Sequence, residues 1–125
     1  MYIVQKRMEV AGSHSLSLPY KSKCANMHGH NWIITVEARS EELNEEGMVI
    51  DFTKISEIVN KLDHANLNTL FPFNPTAENI GLWIAAELGV YLEETPDIKT
   101  TQAHISRVSV QESEGNTAIW TPDFP

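Results

Sequence analysis

The stretch KCANMHGHNW, residues 23–32, gathers the side chains with the most chemistry in the chain. It holds the only cysteine, Cys24, followed by His28 and, two residues on, His30. In an extended chain, residues at i and i+2 point to the same face, roughly 6.6 Å apart along the backbone. Two imidazoles at that spacing can lean inward to share one ion, and Gly29 between them leaves the opposite face open. A tetrahedral zinc site needs a third protein ligand, and a catalytic one keeps its fourth position for water or substrate. His14 supplies that ligand if the strand ending there pairs antiparallel with the strand carrying His28 and His30. A His-Gly-His triplet alone is more often a surface or capping feature. The metal reading rests on three of the chain's five histidines converging from adjacent strands. A lone cysteine is commonly a small buried apolar residue, yet Cys24 lies in a polar stretch. A thiol ordinarily titrates near ~8.5, and a nearby cation lowers that value. Lys23 and a metal at His28 both act in this direction. Cys24 is thus either a base beside the metal or a fourth ligand that closes the site.

Two further groups have chemical potential. Asp63 precedes His64 in KLDHANLN, where the carboxylate could orient and charge the imidazole. The plainer reading is a histidine favoured by the dipole at a helix C-terminus. Glu112 shares strand parity with Val108 and Val110, which puts a carboxylate on a face that should be apolar. Buried there, it needs hydrogen-bond donors, such as the adjacent N–H groups of a ligand; on a frayed strand end it is simply solvated.

The elements that must position these residues are legible from periodicity. Residues 2–11 read as a strand running towards Gly12, with His14 on the parity of Met8, Val10 and Gly12. Residues 15–27 are loop-like. Residues 31–39 alternate, with Trp32, Ile34, Val36 and Ala38 on one face and Thr35, Glu37 and Arg39 on the other. Ile55, Ile58, Val59 and Leu62 recur at helical spacing behind Asp51 as N-cap. That helix is expected to end near Asp63-His64 and to carry a Glu57–Lys61 pair. Thr76 caps a second helix with Glu78 in its first turn and Ile80, Trp83, Ile84, Leu88 and Tyr91 as its buried stripe. Residues 103–112 alternate as a strand, and a Gly115-Asn116 turn returns a short hairpin arm. The order strand, strand, helix, helix, strand, strand predicts an α+β fold with helices on one side of an antiparallel sheet.

Composition sets the bounds. The 125 residues favour a single domain, 1–125. Seventeen acidic against nine basic residues give a formal charge of −8. That balance disfavours sequence-independent nucleic-acid binding. One cysteine forms no internal disulfide, and the opening MYIVQKRMEV lacks a long apolar run. No membrane span or secretory leader is expected, and a cytoplasmic protein is the default.

Taken together, Cys24-x-x-x-His28-Gly29-His30, upstream His14, LDHANLN at 62–68, NPTAENI at 74–80 and VQES at 110–113 resemble the 6-pyruvoyl-tetrahydropterin synthase family. The resemblance runs from about Val4 to Ala118. The three-residue gap between Cys24 and His28 is similar to the bacterial branch, 6-carboxy-5,6,7,8-tetrahydropterin synthase of queuosine biosynthesis. The resemblance implies the tunnelling fold: a four-stranded antiparallel sheet with two helices inserted after strand two, assembling through sheets into trimeric barrels and then hexamers. It implies a lyase that converts 7,8-dihydroneopterin triphosphate to 6-carboxytetrahydropterin, acetaldehyde and triphosphate. His14, His28 and His30 match the ligands of a Zn2+ cofactor, Cys24 the catalytic thiol, and Asp63 and His64 the pair completing the proton relay. Glu112 matches the carboxylate that anchors the pterin ring, and Thr76 falls where the family contacts it. Relay and thiol come from different subunits in this family. The chain departs from the family at Val10-Ala11-Gly12-Ser13-His14, where an aromatic residue is usual. The segment 91–103 is longer than a minimal connection needs.

Other readings keep the same residues. The fold could serve a pyruvoyl-type product or an aldol cleavage of dihydroneopterin derivatives. Cys24 could close the zinc shell of a non-catalytic binding module. A cupin-like site would recruit Glu37 to the histidines.

Overall fold

The computed structural model describes residues 1–94 and 103–123. Five strands form one sheet, in the order β3-β1-β2-β4-β5. They are β1 (Tyr2–His14), β2 (His28–Ser40), β3 (Ala65–Asn66), β4 (His104–Ser113) and β5 (Asn116–Trp120). The helices are α1 (Phe52–Val59), α2 (Leu67–Leu70) and α3 (Ala77–Glu94). Among the described residues, no helix is long and apolar enough to cross a membrane.

β1 and β2 are both longer than expected, and their antiparallel register sets His14 across from His28, Gly12 from His30 and Val10 from Trp32. β2 pairs antiparallel with β4, with Ile34 across from Val110 and Val36 from Val108. Strand side chains alternate faces, so Val10, Trp32, Ile34, Val36, Val108 and Val110 share one face, and all are buried. α3 covers that face with Ile80, Ile84 and Leu88, each fully buried; Ile55, Val59 and Leu62 complete the core. Trp83 and Tyr91 lie at its margin rather than within it. A period of two in the strands and 3.6 in the helices thus converge on one apolar layer.

The four long strands are those anticipated; the fifth is the two-residue β3, which pairs parallel to the end of β1 through Gly12–Ala65 and Ser13–Asn66. This pairing also corrects the expected end of the first helix. α1 stops at Val59, a 3-10 turn covers Asn60–Leu62, and Asp63 is already extended. The edge of β1 draws the chain out of the helix: His64 N donates to Ala11 O at 2.6 Å, and Asp63 Oδ1 accepts from Ala11 N at 2.9 Å. Lys61 therefore lies beyond α1, and Glu57 pairs with Lys54 at 3.3 Å instead of with Lys61. The β4–β5 turn falls at Glu114-Gly115, with Gly115 at φ +82° and Asn116 already in β5. Residues 95–102 of the long segment noted above lie outside the described residues; Tyr91–Glu94 belong to α3.

Gly12 occupies a place where a side chain would be crowded. A Cβ there would stand 3.3 Å from both Leu62 O and Trp32 Nε1. Neither neighbour yields easily, since one is backbone and the other is a buried indole donating to Gly12 O at 3.1 Å. Gly12→Ala is expected to destabilise the fold by about 1–3 kcal/mol through overpacking, read as a lowered urea midpoint at unchanged slope.

Candidate metal centre

The apolar face of the sheet ends in imidazoles. Continuing the parity of Val10 and Gly12 brings His14 onto that face, and continuing Trp32 backwards brings His30 and His28. The three rings meet edge to face, with centroids 4.6 Å apart for His14–His28, 5.1 Å for His14–His30 and 4.8 Å for His28–His30. Trp32 lies beneath, 5.0 Å from His14 and 5.3 Å from His30. From β4 comes Glu112: carrying the register Ile33–Gln111 one residue on sets it across from Trp32. His14, His28, His30 and Glu112 each offer a ligand atom, all within 4.8 Å of one another.

Hydrogen bonds fix which nitrogens are available. His14 Nδ1 lies 2.7 Å from Pro75 O, and His28 Nδ1 lies 2.7 Å from Asn26 O. A carbonyl only accepts, so each Nδ1 carries a proton, and in the neutral ring each Nε2 keeps its lone pair. Metal-ligating histidines are usually held this way, with the second ring nitrogen donating to a carbonyl. Nε2 of His14 and Nε2 of His30 are buried without a hydrogen-bond partner. Glu112 Oε1 approaches His30 Nε2 to 2.9 Å, an ion-pair distance without the alignment of a hydrogen bond. Burial lowers the His30 pKa against the opposing pull of Glu112, and His14 and His28 lower it further. A neutral His30 keeps its lone pair for a metal. Buried imidazole nitrogens without partners, beside one carboxylate, suit the nitrogen and oxygen donor set of zinc.

Cys24 is not a member of this group. It lies in the 3-10 turn Lys23–Ala25, partly exposed and free of any disulfide. The turn is held by backbone: Cys24 N donates to Ser22 Oγ at 3.1 Å, and Cys24 O accepts from Leu16 N at 2.7 Å. Leu16 is held in turn by two amide clamps that sequence reasoning missed. Asn68 exchanges two hydrogen bonds with the backbone of Ser15, at 2.8 and 2.9 Å. Asn74 does the same with Ser17, at 2.9 and 3.1 Å. The two side chains stand in for a neighbouring strand along residues 15–17. Both asparagines lie inside the LDHANLN and NPTAENI motifs, which was the available signal.

Asp63 and His64 are not part of the metal group either. His64 is at φ 55° with a side chain 85% exposed, and its Nε2 is 3.8 Å from Asp63 Oδ2. It borders an open cavity of about 530 Å³ with Ala11, Ser13, Asn31 and His30. Glu112 borders a different cavity of about 390 Å³, alongside Ala77, Glu78, Asn116 and Thr117. Thr76 is next to that lining rather than in it. Its Oγ1 caps α3 by accepting from Asn79 N at 3.1 Å, which leaves its own O–H to donate. Glu37 faces away from the histidines, and its carboxylate is taken by Gln5, Ser106 and Arg39. The Gln5 amide, then Ser106 and Arg39, hold its pKa below the usual carboxylate range despite burial. A cupin-like arrangement needs that carboxylate on the metal face, so the geometry does not provide one.

A family model described as 6-pyruvoyl tetrahydropterin synthase matches residues 3–123. The chain is 49% identical over 67 residues to a putative 6-carboxy-5,6,7,8-tetrahydropterin synthase of Pyrococcus horikoshii, covering 50% of this chain and 42% of that protein. It is 35% identical over 98 residues to the 6-carboxy-5,6,7,8-tetrahydropterin synthase of Synechocystis sp., covering 70% and 75%. The matched stretch thus spans less than half of the Pyrococcus relative and three quarters of the Synechocystis one. The solved 6-pyruvoyl tetrahydropterin synthase of Caenorhabditis elegans superposes with a TM-score of 0.73 at 23% identity, over 98% of this chain and 96% of that one. The chain therefore belongs to the 6-pyruvoyl tetrahydropterin synthase family and has its tunnelling fold.

Proposed function

We propose that the protein is a zinc-dependent 6-carboxy-5,6,7,8-tetrahydropterin synthase. It converts 7,8-dihydroneopterin triphosphate to 6-carboxytetrahydropterin, acetaldehyde and triphosphate, a step of queuosine biosynthesis. The observation that carries this reading is the three-imidazole cluster with Cys24 outside it. A thiol excluded from the donor set remains available as a base.

His14, His28 and His30 would hold the zinc, which would supply Lewis-acid polarisation of the substrate's side-chain hydroxyls. Cys24, as thiolate, takes a proton from the substrate side chain. Asp63, whose Oδ2 lies 3.8 Å from His64 Nε2, orients His64, which passes a proton at the opposite ring nitrogen, Nδ1. Glu112 accepts the pterin N–H groups from the 390 Å³ cavity, and Thr76 offers its O–H beside them. His64 and Glu112 of one chain border different cavities. That separation supports an active site completed between subunits of a trimer or hexamer, where the relay of one chain serves the thiol of its neighbour.

Incubation with dihydroneopterin triphosphate and mass analysis of the pterin tests the reading. The expected product carries a 6-carboxy group and appears with acetaldehyde. A pyruvoyl product, or a ring stripped of its side chain without the carboxylate, would assign a different reaction to the same fold. No consumption of substrate would remove the catalytic reading and favour a zinc-stabilised pterin-binding module.

A further inference from the structure

We propose that Glu112 ligates the metal in the substrate-free protein, and that an arriving pterin ring draws the carboxylate away and so opens a coordination position. The second half rests on the pterin reading given above; the first rests on the donor atoms alone.

Glu112 Oε1 stands 2.9 Å from His30 Nε2 and 3.6 Å from His14 Nε2. Donors sharing one tetrahedral zinc at its usual bond lengths stand roughly 3.3 Å apart, so both separations suit a common ion. His14 Nδ1 donates to Pro75 O, so in the neutral ring its Nε2 presents a lone pair. A bare lone pair facing a carboxylate oxygen in a fully buried position is repulsive unless a cation lies between them.

The same carboxylate looks outward. Its side chain is 26% exposed and borders the cavity shared with Ala77, Asn116 and Thr117. An ionised carboxylate has two oxygens and accepts paired N–H donors side by side. A pterin ring edge supplies such a pair, so Glu112 can exchange one metal bond for two hydrogen bonds. With the carboxylate in place, three imidazoles and one oxygen close a four-coordinate shell. With the ring bound, a position opens for the substrate hydroxyls. A polyol without the ring would meet a closed shell, so ring recognition and metal access are coupled.

The test compares the full-length wild type with Glu112→Gln. Zinc affinity is measured by competition with a chromogenic chelator, and coordination by the visible bands of the cobalt-substituted protein. Pterin itself, lacking the side chain, is the probe, and its fluorescence reports binding independently. The expected result is zinc affinity weakened about 10–100-fold in E112Q, with an altered cobalt spectrum. Pterin shifts the cobalt bands of the wild type and leaves those of E112Q unmoved. Equal affinity and identical cobalt spectra would overturn ligation by Glu112. Pterin that binds the wild type without moving its cobalt bands would overturn the exchange, and that titration needs no variant to fold. Absence of pterin binding altogether would overturn both the exchange and the pterin reading, leaving the affinity comparison to decide ligation alone.

Discussion

Replacing Cys24 by alanine is expected to leave zinc in place and to lower turnover of dihydroneopterin triphosphate by about 10²–10⁴-fold, the range typical of a lost acid or base. The thiol is outside the donor group, so metal binding there would not depend on it. The turn that carries it is held by the backbone of Cys24, through Ser22 and Leu16, and not by its sulfur. Truncation therefore removes chemistry while sparing the scaffold. Metal content and unfolding midpoint, measured beside kcat, check that separation. Loss of zinc in the variant would instead make the sulfur a ligand and favour the binding-module reading.

The second large effect is expected at His14. His14→Ala should abolish stoichiometric zinc, from about one ion per chain to none retained through gel filtration, and turnover with it. Of the three imidazoles, His14 is the one fully buried. Its removal also strands Pro75 O, a lost buried hydrogen bond worth about 1–3 kcal/mol. Added zinc should raise the melting temperature of the wild type, because an ion that binds the folded state alone stabilises it by linkage. The same addition should leave the His14→Ala midpoint unmoved. His64→Ala provides the contrast: its side chain is 85% exposed and apart from the metal group. That variant should retain zinc and stability while losing turnover.

How far the sequence determined these expectations varied with the kind of signal. The strand parities set His14 with Val10, Trp32 with Ile34 and Val110 with Val108 because alternation within β1, β2 and β4 is nearly unbroken, and the register brings the three sets onto one face. The helical stripe of α3 was equally readable at Ile80, Ile84 and Leu88, which pack under the sheet. The end of α1 was not readable. The helical stripe runs on to Leu62, yet α1 stops at Val59 as the chain turns to pair with the edge of β1, and no local pattern announces a two-residue strand. Tertiary context overrides propensity there.

At the site, spacing alone made the histidine pair conspicuous, whereas the place of Glu112 required the β2–β4 register. Parity assigned it to an apolar face, and only the register shows that this face ends at the histidines. The amide clamps of Asn68 and Asn74 were less accessible still. An asparagine that mimics a strand is indistinguishable in sequence from one that caps a turn. Asp63 illustrates the same limit: its carboxylate takes the Ala11 N–H at the sheet edge, a contact between residues 52 positions apart.

The most direct measurement is X-ray absorption at the zinc edge on the zinc-loaded wild type. Coordination by His14, His28 and His30, with Cys24 free, predicts a first shell of nitrogen and oxygen at about 2.0–2.2 Å and imidazole scattering behind it. A sulfur shell near ~2.3 Å would put Cys24 on the metal and contradict the separation of cation and thiol from which the proposed chemistry follows.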